Sequence, residues 1–136
     1  MTNGGCISGG SSEAATGRGA DIFINVETAD ITTGNTELPA FTMITSGSLE
    51  AGKAGNVCIQ AEEYIVMNGK SENLVPVSIN SFAEKSVAGS ITIKTPMLSI
   101  SNGVMMEAAS VTGESGDITI EAGKMILQGG IIDLSN

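Results

Sequence analysis

The chain has 136 residues, a net charge of −9 and no histidine, room for one domain of ordinary size. Its acids are scattered (Glu13, Asp21, Glu27, Glu62, Glu84, Glu114 and Asp133 among them) and its few Lys and Arg are not clustered, which argues against nucleic acid and anionic lipid as partners. Without histidine the usual Cys/His zinc site cannot be assembled, and no apolar run approaches the roughly 18 residues of a membrane span.

Sixteen Ile and 8 Val against 6 Leu, together with 18 Gly, favour pleated strands and turns, so the chain reads as all-β. The N-terminus lacks the basic and apolar regions of a signal peptide. Asn3-Gly4-Gly5-Cys6-Ile7 looks like the tail half of a repeat whose first half is missing. The repeat itself follows. Ala20-Asp21-Ile22-Phe23-Ile24, Gly55-Asn56-Val57-Cys58-Ile59, Gly89-Ser90-Ile91-Thr92-Ile93 and Gly116-Asp117-Ile118-Thr119-Ile120 are copies, with starts at 20, 55, 89 and 116 and hence spacings of 35, 34 and 27 residues. Such spacing marks a solenoid.

Laid over one another, the copies form columns. Ile22/Val57/Ile91/Ile118 and Ile24/Ile59/Ile93/Ile120 belong inside, whereas Phe23/Cys58/Thr92/Thr119 and Asn25/Gln60/Lys94/Glu121 belong outside, as period-two alternation requires. Val26/Ala61/Thr95/Ala122 leads to a corner that holds Pro96 in one copy and Gly123 in another. Counting on from there predicts a second strand, with Ala29/Tyr64/Leu98/Met125 and Ile31/Val66/Ile100/Leu127 inward and Asp30/Ile65/Ser99/Ile126 outward. Gly34, Gly69, Gly103 and Gly130 then share a place, as at a bend with positive φ or a crowded backbone.

A third strand contains Met43-Ile44-Thr45, Val77-Ser78-Ile79 and Val104-Met105-Met106, and a loop of small residues leads from it to the next copy. The third copy is shorter than the others, which makes 35–42 and 70–76 side loops. The expected fold is a right-handed parallel β-helix of about four coils with three strands per coil. Its handedness follows the general rule for parallel crossovers. Residues 1–136 are expected to form one such segment, a fragment of a longer repeat protein.

The phrases Ala54-Gly55-Asn56-Val57-Cys58-Ile59-Gln60-Ala61, Ala88-Gly89-Ser90-Ile91-Thr92-Ile93 and Ser115-Gly116-Asp117-Ile118-Thr119-Ile120-Glu121-Ala122 resemble the repeats of filamentous-haemagglutinin-like proteins. The resemblance spans about residues 3–136. It implies a passenger secreted across a bacterial outer membrane through a partner pore, working at the cell surface as an adhesin or filament. The expected function is therefore a structural and adhesive stalk segment of a secreted protein. Its expected partner is a host or neighbouring-cell surface, protein or carbohydrate, met by the side loops, and the rod ends offer end-to-end self-association. The alternatives are a fragment of a β-helical carbohydrate-active enzyme and a self-assembling scaffold.

No catalytic, cofactor or metal site is expected. A polysaccharide lyase or hydrolase needs convergent acids and bases. Here the one arginine, Arg18, lies in a small-residue loop, and Asp21 and Asp117 share a column with Asn56 and Ser90 between them. Those four read as solvated residues capping backbone groups. Cys6 and Cys58 show neither metal nor redox spacing, and Glu62-Glu63 reads as a wet corner. Met43, Met105 and Met106 read as core filling, and Ile65 with Ile126 as a modest exposed apolar spot.

Overall fold

The computed structural model describes residues 1, 4–10, 17–33, 41–49, 52–69 and 77–133. Its elements in chain order are β1 (Cys6–Ser8), β2 (Ile22–Thr32), β3 (Thr42–Ser48), β4 (Val57–Asn68), β5 (Val77–Ala83), β6 (Ile91–Ser101), β7 (Met105–Ser110), β8 (Ile118–Gln128) and β9 (Ile131–Asp133). There is no helix among the described residues. All the strands pair in parallel, in two sheets of order β2-β4-β6-β8 and β1-β3-β5-β7-β9. Alternate elements thus lie in alternate sheets, an arrangement compatible with a parallel β-helix.

Between the sheets lies one apolar core. Ile22/Val57/Ile91 and Ile59/Ile93 are buried from the first sheet, Ile44/Ile79/Met106 from the second, and Ile118 and Ile120 pack against this core from the last repeat. The register reproduces the predicted first columns residue for residue, Ile22 beside Val57 beside Ile91 beside Ile118. Similar aliphatic side chains, mostly β-branched, fill the space above and below one another on successive strands, which gives the repeats similar cross-sections.

Three expectations need correcting. The first and second predicted strands of each repeat are one hydrogen-bonded strand, so there are two sheets and not three. Beyond the corner the inward columns are Ala29/Ile65/Leu98/Met125 and Ile31/Met67/Ile100/Leu127. Ile65 is therefore 0% exposed and not part of a surface spot, while Tyr64 and Val66 are half-buried on the other face. The cause is one extra residue. Glu62-Glu63 stands where the other repeats have only Glu27, Pro96 or Gly123, and a bulge of one residue reverses the facing of everything counted past it.

Third, the last strand of each repeat is longer than predicted. Ser46 and Ser48, assigned to a small-residue loop, are buried strand residues, and so is Thr42, assigned to a side loop. Of the rest of that loop, Phe41 is exposed, and 35–40, like the whole of 70–76, lie outside the described residues. Of the three methionines read as core filling, Met106 is core, but Met43 and Met105, each half-buried, lie with Ser78 in a column on the opposite face of the strand.

The glycine at the start of a repeat has a steric reason. A Cβ on Gly89 would lie 2.1 Å from the carbonyl oxygen of Gly55, and one on Gly116 2.0 Å from that of Gly89. No side chain fits where successive repeats approach so closely. At the far turn, Gly103 has a φ of 79° and Asn102 beside it 54°, whereas a Cβ on Gly69 would meet the carbonyl oxygen of Asn102 at 2.5 Å. The glycines that share a place in the sequence thus serve two different ends, and Gly34 lies outside the described residues.

Candidate functional site

Two ladders of polar side chains tie the repeats together. On the outside, the Asn56 N–H donates to Asp21 Oδ1 at 2.7 Å, the Ser90 N–H to Asn56 Oδ1 at 2.9 Å and the Asp117 N–H to Ser90 Oγ at 3.3 Å. These are the backbone caps expected of that column. Asp21 also takes the Arg18 guanidinium at 2.7 Å, which gives the sole arginine a structural partner.

On the inside, the Ser46 hydroxyl donates to the Ala20 carbonyl at 2.8 Å and accepts the Gly55 N–H at 3.0 Å. Ser81 repeats this with the Gly55 carbonyl at 2.9 Å and the Gly89 N–H at 2.8 Å. Each hydroxyl joins the start of its own repeat to the start of the next. In the third repeat the same place holds Ala108, and the Gly116 N–H turns to the Ala108 carbonyl at 3.1 Å. A buried N–H left without an acceptor is costly, so the substitution is accommodated by a backbone partner.

The outer face carries a groove of about 660 Å³ along the corner. Gln60, Lys94 and Glu121 line one side, and Glu62, Pro96 and Gly123 the other. They meet because period-two alternation points the residue before the corner outward in every repeat. Lys94 Nζ lies 3.0 Å from Glu121 Oε2, and both side chains are more than half exposed, so each neutralises the other in water. The groove offers amide, carboxylate and ammonium groups at strand spacing, a surface for hydrogen bonding to an extended polar chain.

The structure keeps the other candidates apart. Asp21 and Asp117 stand at opposite ends of the outer ladder. Cys6 is exposed, Cys58 is half-buried, and both are free. Among the described residues no three His, Cys, Asp or Glu side chains gather where they could hold a metal ion, and no helix is long and apolar enough to cross a membrane. The inner serine ladder went unread in the sequence. Its signal is the serine two residues past the buried isoleucine of that strand, Ser46 after Ile44 and Ser81 after Ile79.

Compared with models of known protein families, with characterised proteins and with solved structures, the chain matches none. The likeness to filamentous-haemagglutinin repeats rests on the repeat phrases themselves.

Proposed function

We propose that the chain is a segment of an adhesive stalk on a secreted bacterial surface protein, built as a right-handed parallel β-helix of about four coils. The observation that carries this reading is the pair of side-chain ladders, which run from repeat to repeat and bond each to the next. Side chains spent in this way make a stiff rod, and stiffness along one axis is what a stalk requires. The polar corner groove adds a long outer surface for contact with a neighbouring cell's protein or carbohydrate.

Antibody raised against the purified chain tests the location. It should label intact cells of the source organism, and external protease should remove the label. Label seen only after the cells are opened would overturn the reading. The carbohydrate-active alternative is tested by incubation with acidic polysaccharides, where release of reducing ends would displace the stalk.

A further inference from the structure

Asparagine followed by glycine can react with its own backbone, because glycine has no side chain to screen its nitrogen from the carboxamide before it. The sequence holds three such pairs, at 3–4, 68–69 and 102–103. Asn3 lies outside the described residues. The other two pairs stand at the same turn of successive repeats, where the long strand ends. Asn25, Asn56 and Asn80 are followed by Val26, Val57 and Ser81, whose side chains provide that screen.

The two turns are alike in sequence and unlike in packing. Gly69 is buried, and a Cβ placed on it would lie 2.5 Å from the carbonyl oxygen of Asn102, so the next repeat closes over it. Its N–H donates to the Ser101 carbonyl at 3.1 Å. Gly103 instead has a φ of 79°, and nothing lies within 4 Å of a Cβ placed there. The Gly103 N–H donates to the Gly129 carbonyl at 2.8 Å, and Gly129 has no side chain with which to cover the turn. Asn102 and Gly103 are accordingly both exposed. Opening one exposed turn frees the Gly103 nitrogen, whereas freeing that of Gly69 requires two repeats to part.

We propose that Asn102–Gly103 is a self-modifying site of the folded chain, and that its conversion loosens the junction between the second and third repeats. The Gly103 nitrogen attacks Cγ of Asn102 and closes a cyclic imide. The bond from Cγ to the side-chain nitrogen breaks, and that nitrogen leaves as ammonia with the proton lost by Gly103. Water then opens the imide at either carbonyl, giving aspartate or isoaspartate. Nothing is oxidised or reduced. Either product has a carboxylate and no amide at position 102, where Asn102 Nδ2 now donates to Asn68 Oδ1 at 3.0 Å. A carboxylate has no proton to give to that oxygen. Isoaspartate also lengthens the backbone of the bend between β6 and β7.

Incubation of the folded chain in mildly alkaline heavy-oxygen water, followed by peptide mass spectrometry, tests the first part, since each conversion takes up oxygen from water. Asn102 should convert roughly ten-fold or more faster than Asn68, which needs the two openings to differ by about 1.4 kcal/mol. In urea that unfolds the chain the two rates should converge. Asn68 converting as fast as Asn102 or faster in the folded chain, no conversion at Asn102, or a difference that persists in urea would overturn the proposal. The converted chain carries one negative charge more than the net −9 of the original and separates from it by anion exchange. It should unfold at a lower urea concentration, and an unchanged midpoint would overturn the loosening.

Discussion

Asp21 holds Asn56 across a gap of 35 residues in sequence, its Oδ1 accepting the Asn56 N–H at 2.7 Å. Asn56 then does the same for Ser90. A residue at this place serves the next repeat and not its own, so its removal should loosen one junction. Asn56→Ala is expected to cost about 0.5–1.5 kcal/mol in urea unfolding, the usual worth of one hydrogen bond. Asn56→Ser, which copies Ser90, should recover part of the loss. No change in either variant would mean that water replaces the side chain without cost.

The inner ladder makes a sharper contrast. Ser81 is 0% exposed, and Ser81→Ala strips the Gly89 N–H of its acceptor and the Gly55 carbonyl of a donor. A cost of about 1–3 kcal/mol is expected. Ala108 occupies the same column one repeat on, so Ala108→Ser places a hydroxyl where Ser81 shows that partners exist, and should be neutral or stabilising. Destabilisation by both changes would show that the space at Ala108 does not match that at Ser81.

What the sequence disclosed divides at the corner. Up to Ala61 the alternation of Ile and polar residues gives the true register, because nothing interrupts the count. Past it, constant offsets carried Tyr64 inward and Ile65 outward, since one extra glutamate looks like any other polar residue in a wet corner. The buried serines were missed for a related reason. Ser46-Gly47-Ser48 has the composition of a turn, and only the partners at Ala20 and Gly55 explain why polar groups belong inside. The groove was half legible. Its Lys94–Glu121 pair follows from the columns, but the concavity depends on how the corner is shaped.

The bulge itself can be tested. Deleting Glu63 leaves one residue at that corner, as in the neighbouring repeats, and should keep the fold within about 1 kcal/mol because Glu62 and Glu63 are both exposed. Deleting Thr92 instead turns Ile93 outward and sets a polar neighbour in its place, which should abolish cooperative unfolding. Equal tolerance of the two deletions would place the register shift elsewhere.

Ile93 sits at the centre of the stack, 0% exposed, with Ile59 on one side and Ile120 on the other. Ile93→Ala should cost about 2–5 kcal/mol, because repeats above and below hold the cavity open. Its neighbour Thr92 is half-buried on the outer face, and Thr92→Ala should stay within about 0.5 kcal/mol. Ile120 is the informative third site. It is half-buried and packs against the core from one side, so Ile120→Ala should cost less than Ile93→Ala in dilute protein, about 1–2 kcal/mol. Urea unfolding of the three variants reads all three penalties. A penalty at Ile120 equal to that at Ile93 would mean that a cavity inside the stack costs no more than one at its last strand.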